Sequence, residues 1–398
     1  MKMKMNISLV GMAAICLLIS GCSNYRELNE LGVIISMGID QNDDPKQPYR
    51  VTYQVINPSG LSQTGKSGGQ NLAVINYTIT GKTILETLGK SASVIPRENN
   101  TTHLSLIIIG EKLARNNLDL IFDGLDRGKY SRGSIPIFIA RGKTAKDVLG
   151  VIEPLEINPG KNIISTTQNN QKLYGSTSEV LAYEIISSLL SEGKDASLPG
   201  ISISNDSQKG KQTGNLETTN PTTIKVKGLA IFRKGKLVRW LDGETARSVQ
   251  FVTSKVKNTP VVLPCKRGNV TINTIGVKSK MLTEIHHEKP VIHTDINVMG
   301  ELLETTCELN LSDPKVLKEN EKKMEEELKK EIKKTISITQ KEKSDIFGFG
   351  DALSRTNPVY WRQNKKNWDN LYSDAQISLK VHVDIINSGL RMEPYESK

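Results

Sequence analysis

Aromatic residues are scarce in this chain of 398 residues, with Phe, Trp and Tyr together making 5% of it. Nucleic-acid binding draws on a clustered basic face interleaved with aromatic platforms for the bases. The chain is basic, at formal net charge +10, yet its lysines alternate with acids instead of gathering. That charge reads as a solvated surface, and nucleic acid is not an expected partner. Catalytic signatures are weak as well. No H-E-x-x-H pattern occurs, and the G-x-S-x-G and P-loop spellings occur only at 60–69. The glycine-rich "GKSGGQ" at 65–70 lacks the strand–loop–helix setting of a phosphate loop and reads as a flexible loop. Histidine is rare, and "HHEKPVIH" puts His286 and His287 on opposite faces of a strand. Only one of them can join His293 across a hairpin, and no cysteine or acid stands at zinc-like spacing. Neither a metal nor a cofactor is expected. Long apolar runs are missing too: none reaches the about 20 residues that a membrane span requires.

The longest apolar run lies at the N-terminus. Lys2 and Lys4 form a basic start, Ile7–Ile19 an apolar core, and Ser20-Gly21 a small-residue exit before Cys22. Those three parts describe a secretory signal. Its end, Leu18-Ile19-Ser20-Gly21-Cys22, resembles the lipobox of bacterial lipoproteins. In that class the cysteine receives a diacylglycerol thioether and becomes the first residue of the mature chain. Residues 1–21 are therefore expected to leave, and Cys22 is the expected lipid attachment. One acyl chain binds a membrane reversibly, whereas two hold it stably. Only Ser23–Asn29 separate Cys22 from the first strand-like run, so the body is tethered within about 30 Å of the lipid.

Cys16 departs with the leader. Cys265 and Cys307 remain, an even pair in an exported, oxidising setting. Two readings are open, a disulfide between them or two separate buried thiols.

The mature chain is long enough for two or three domains. Residues 22–202 read as alternating strands and helices. "GVIISMGID", "YRVTYQVI", "NLAVINYTI", "HLSLIIIG" and "SIPIFIA" are strand-like, the last with Pro136 at an edge or a strand start. Helices are expected at Thr83–Ser93, Glu111–Gly124, Thr144–Leu149 and through "STSEVLAYEIISSLLSEG". Residues 203–223 carry almost no large apolar side chain and read as a linker or exposed loop, with the domain boundary there. Residues 224–398 open with a hairpin around Arg233-Lys234-Gly235-Lys236. A helix at "DGETARSVQFVTSKV" and long strands at Asn269–Lys280 and Pro290–Thr306 follow. Asp313 and Pro314 then start a charged helix with a thin stripe of Leu317, Met324, Leu328 and Ile332, a helix lying on a sheet. "DIFGFGDAL" (345–353) reads as a joint between helices whose phenylalanines turn inward. A strand carrying Ile377, Leu379, Val381, Val383 and Ile385 on one face closes the chain. The fold class is α+β: a mixed α/β N-terminal region, open to division into two subdomains, then an antiparallel-rich sheet packed with helices.

The ordered strings "CSNYRELNELGVIISMGID", "HLSLIIIGEKLARNNL", "IPIFIARGKTAKDVL", "GLAIFRKGKLVRWLDGETAR", "KSDIFGFGDALSR" and "YWRQNKKNWDNLYSD" resemble the Ger(x)C family of spore germination lipoproteins. Tyr25 stands where that family often has Trp. The resemblance implies a non-enzymatic C subunit of a GerA-type nutrient germinant receptor, on the outer surface of the spore inner membrane. Its partners would be the membrane-embedded A and B subunits, and no catalytic residue carries over. An extracytoplasmic lipoprotein that binds a solute for a transporter is the alternative, and it would show two similar lobes around a cleft.

Overall fold

The computed structural model describes residues 27, 30–61, 72–127 and 133–387. The leader, Cys22 and the 65–70 loop lie outside these residues.

Thirteen strands among the described residues form two sheets. The first runs β3 (Val74–Gly81), β2 (Tyr49–Ile56), β1 (Leu31–Gln41), β5 (Leu106–Gly110), β6 (Ile137–Ala140), β7 (Ser197–Ile203), β8 (Ile224–Arg233) and β9 (Lys236–Leu241), with β4 (Glu98–Asn100) beside the start of β1. Its centre, β1-β5-β6-β7, is parallel, and an antiparallel pair flanks it on each side. "LIIIG" is uniformly apolar because β5 is buried on both faces, as a central parallel strand is. Ile107 and Ile109 enter one core, and Leu106 and Ile108 the other.

Helices cover both faces. On the first lie α1 (Ile84–Ser91), α2 (Glu111–Ala114), α3 (Asp119–Arg127) and, further along the chain, the helix Ala182–Leu190. On the second lie α4 (Ala145–Leu149) and α5 (Pro159–Leu173). With Ala182–Leu190 as α6, the C-terminal part adds α7 (Glu244–Val252), α8 (Pro314–Lys341), α9 (Phe349–Thr356), α10 (Pro358–Asn364) and α11 (Trp368–Asp374). These surround the second sheet, β10 (Thr259–Cys265), β11 (Gly268–His286), β12 (Lys289–Thr305) and β13 (Gln376–Asn387). The first three are an antiparallel meander, and β13 joins β12 in parallel. Met324, Leu328 and Ile332 of α8 are buried against this sheet, while Leu317 is half-buried.

The hairpin at 233–236 closes on Lys234 (φ 48°) and Gly235 (φ 72°). Two positive φ values make the turn whose twist matches a hairpin's strands, and glycine adopts the second without strain. The two faces of β8–β9 enter different cores. Ala230, Phe232 and Leu237 pack with the first sheet, and Leu229, Ile231 and Leu241 pack with the second.

Several local expectations need correction. Residues 203–223 are a largely exposed stretch, as one of the two readings has it, but pinned rather than free. They form short helical turns at Ser207–Gly210 and Thr213–Leu216. Buried Asn215 donates to the carbonyls of Ile152 (2.7 Å) and Thr222 (3.0 Å) and accepts from the Thr222 amide (2.7 Å). Polar cross-links replace the missing apolar surface. The helix expected at Glu111–Gly124 breaks at Asn116-Asn117, because the Leu118 amide turns to the Gly235 carbonyl (2.8 Å). Asn117 Oδ1 then accepts from the Asp119 amide (2.8 Å) and starts α3. The serine/threonine entrance before α6 is extended, since the Val180 carbonyl accepts from Ile137 of β6 (3.0 Å). Helix α5 is not among the helices expected from sequence. Asn158 caps it and Pro159 begins it, yet it buries polar Asn162 and Thr167, so the apolar stripe is faint.

Candidate functional site: the joint between the two sheets

The string "KSDIFGFGDAL" leaves α8 and enters α9 where the C-terminal helices meet the β8–β9 hairpin. Asp345 is its centre, with 2% of its surface exposed. Its Oδ1 accepts from the amides of Phe347 (3.2 Å) and Gly348 (2.9 Å). Its Oδ2 accepts from the Gly350 amide (2.9 Å) and from Trp368 Nε1 (3.0 Å). The loop thus grips a carboxylate of its own chain. Four donors fill the acceptor positions of that carboxylate. Burial nonetheless pushes Asp345 up to about 6, against the opposing pull of those bonds.

The neighbour across the joint is Asp195, just before β7. Its Oδ1 accepts from the Lys234 amide (3.1 Å) at the hairpin turn, and its Oδ2 from the Asp345 amide (3.1 Å). Desolvation raises Asp195 to about 7, with the charges of Asp345 and Asp369 adding to the rise. Asp369 is compensated by Arg233 (3.1 Å) and Lys234 (3.0 Å). Ser344 Oγ donates to the Phe232 carbonyl of β8 (2.5 Å). Apart from the Asp195–Lys234 bond, these contacts link the β7–β9 region to the segment after α8.

Two glycines let the backbones touch. A Cβ on Gly193 would lie 2.6 Å from Gly350 C and from Asp351 N, and one on Gly350 would lie 2.7 Å from Gly193 Cα. Asp351 ties the approach together, donating its amide to the Gly193 carbonyl (3.2 Å) and accepting from Ser191 Oγ (2.7 Å). The phenylalanines do turn inward: the rings of Phe347 and Phe349 meet tilted, their centroids 5.2 Å apart, and Phe349 continues to Tyr372 at 6.1 Å. Tyr372 is fully buried, its hydroxyl 2.6 Å from Thr339 Oγ1, and burial holds its pKa well above the usual value.

Beside the joint lies a cavity of about 240 Å³, lined by Ile346, Phe347, Gln250 and the Glu184–Lys255 ion pair among others. That pair closes at 2.9 Å. An apolar pocket of about 460 Å³ lies between α1 and α3, with Tyr53, Leu88 and Leu125 in its wall. The joint itself offers fixed donors to fixed acceptors, so its chemistry is mechanical coupling of two bodies.

The histidines and the cysteine pair lie away from the joint. His287 and Glu288 form the β11–β12 turn with positive φ. His286 and His293 flank Glu284 at 3.3 and 3.5 Å. Among the described residues no three His, Cys, Asp or Glu side chains come together as a metal site. Cys265 and Cys307 are brought side by side, their Cα atoms 6.5 Å apart, at the ends of β10 and the segment after β12. Asp195 carries no signal in the sequence, since nothing in "EGKDASLPG" marks its partner 150 residues away.

Residues 24–203 match the family described as "Spore germination protein N-terminal domain", and residues 227–389 match "Spore germination B3/ GerAC like, C-terminal". The chain belongs to the GerAC-like spore germination family. Spore germination protein KC of Bacillus subtilis (strain 168) is 29% identical over 386 residues, covering 95% of this chain and 94% of that protein. Spore germination protein B3 of the same organism is 25% identical, covering 97% and 98% respectively. The crystal structure of the GerBC protein superimposes with a TM-score of 0.55 at 23% identity, covering 88% of this chain and 97% of that one. That likeness shows the fold of this family member, an α+β body with two sheets, and the sequence matches give it a role in spore germination.

Proposed function

We propose that this chain is a lipid-anchored, non-enzymatic subunit of a nutrient germinant receptor. It sits at the outer surface of the spore inner membrane and assembles there with membrane-embedded A and B subunits. The observation that carries this reading is the ordered match of both halves, from residue 24 to residue 389, to spore germination proteins. Cys22 supplies the attachment, and its diacylglyceryl group is enough to hold the body at the bilayer. Among the described residues no helix is long and apolar enough to cross a membrane. The role of the folded part is then scaffolding, which suits a joint whose polar groups are bonded to one another.

Cys22→Ala tests the anchor. The variant body stays folded, leaves the membrane fraction and weakens germination, whereas normal membrane retention overturns the reading. Co-purification of the wild-type chain with the two membrane subunits tests the assembly. A solute-binding role would instead show as tight calorimetric binding of a nutrient to the isolated chain.

A further inference from the structure

The long outer strands of the two sheets are β3, β9, β10 and β13, with the three-residue β4 pairing β1 alone. An outer strand presents unpaired amides and carbonyls, and proteins blunt such edges with charge, proline or a covering element. Three of the four are blunted here. Along β13, Glu325 Oε1 accepts from the Val383 amide (3.1 Å) and Glu321 Oε1 from the Ile385 amide (3.0 Å), so α8 caps that edge. Strand β10 carries Pro260 and Pro264, which lack the donor, and Arg247 covers the Pro260 carbonyl (3.0 Å). Strand β9 carries Lys236 and Arg239, the latter held by Glu342 at 2.6 Å.

The middle of strand β3 has none of these devices. Its sequence, "VINYTITG", contains neither charge nor proline. The Asn57 amide donates to the Ala73 carbonyl (2.9 Å), and alternation then turns the amides and carbonyls of Asn76, Thr78 and Thr80 away from β2. Lys90 Nζ reaches the Thr80 carbonyl at 3.3 Å. Among the described residues nothing meets the backbone of Asn76 or Thr78.

We infer that β3 is the seam of a symmetric dimer, two copies of this chain pairing their β3 strands antiparallel about Tyr77. A two-fold interface requires a surface that complements itself, and β3 does. Centred on Tyr77, the pairing sets Ile75 against Ile79 of the second copy, Tyr77 against its own counterpart, and Asn76 against Thr78. Apolar residues meet apolar ones and polar residues meet polar ones. Aromatic and β-branched pairs of this kind are the favourable cross-strand contacts, and no like charges oppose each other. Ile75, 43% exposed, would be covered. Tyr77 and Ile79 already pack against the first core, so the apolar face continues from one copy into the next.

The test uses the full chain in its own membranes. Thr78→Cys places one thiol beside the two-fold axis, where the two copies' thiols are diagonal neighbours about 7–8 Å apart. A short bismaleimide should join them into a species of twice the mass, absent from identically treated wild type. Adding Ile75→Lys, which sets a charge against Ile79 of the second copy, should lower that yield severalfold. No product at Thr78→Cys overturns the inference. Joining instead to a different protein overturns it equally, because the edge then takes a foreign strand. A dimer whose yield ignores Ile75→Lys places the seam elsewhere and overturns it too.

Discussion

Asp195 and Asp345 hold each other twice: the Asp195 amide donates to the Asp345 carbonyl at 2.8 Å, and the Asp345 amide donates to Asp195 Oδ2 at 3.1 Å. One residue precedes a strand of the first sheet, and the other follows the longest helix of the second. Their side chains are the two strongly raised carboxyls of the joint.

That placement sets the pH response. Burial raises Asp345 to about 6 and Asp195 to about 7, both from an ordinary 3.8. A carboxyl whose folded value lies above its unfolded one favours the fold at low pH and loses that contribution as pH climbs through the folded value. Thermal stability should therefore decline between about pH 4 and pH 7. Asp195→Asn should flatten the upper part of the decline, read as Tm against pH by circular dichroism. A Tm that rises across this window refutes the assignment.

Gly193→Ala tests the close approach. The added methyl meets two backbone atoms at 2.6 Å, which no side-chain rotation relieves. Overpacking typically costs about 1–3 kcal/mol, and denaturant unfolding should show a loss of at least that size. Ala at exposed Gly214, where nothing lies within 4 Å, is the control and should be close to neutral.

The joint divides what sequence can and cannot convey. "DIFGFGDAL" stands out locally, because two rings between glycines within a few residues form a pattern. The carboxylate that fills it belongs to the same string, yet its grip depends on Trp368, and its partner Asp195 lies 150 residues earlier. Polar pairing across such separations leaves no period to read. The strands of the parallel centre are legible for the opposite reason: burial on both faces makes an unbroken apolar run. Residues 203–223 are mostly exposed, as their polarity suggests, yet they are pinned at a few buried positions that polarity does not mark. There Asn215 does by hydrogen bonding what a leucine would do by burial.

Glu325→Ala and Glu321→Ala should open the β13 edge. Each removes the acceptor of one strand amide, Val383 or Ile385. An amide left without its partner costs about 1–3 kcal/mol. Hydrogen exchange should speed at those two amides while the β11–β12 ladder stays protected.

We propose that Cys265 and Cys307 are joined as a disulfide. The oxidised chain should weigh two daltons less than the dithiol, with the difference abolished by reductant. The loop between them spans 42 positions. Cys265→Ser/Cys307→Ser should then lose about 2–4 kcal/mol of stability. An identical mass before and after reduction would favour two free thiols.

The β8–β9 ribbon is shared property. Ala230 and Phe232 complete one interior, while Leu229 and Ile231, alternating with them, complete the other. Cutting the gene into halves leaves whichever fragment lacks the ribbon with an open wound in its centre, so neither arrangement yields two healthy pieces. A displacement at the far end of either half reaches the other through this hairpin and through the Gly193–Asp351 and Glu184–Lys255 contacts beside it, so the two halves meet along one shared seam.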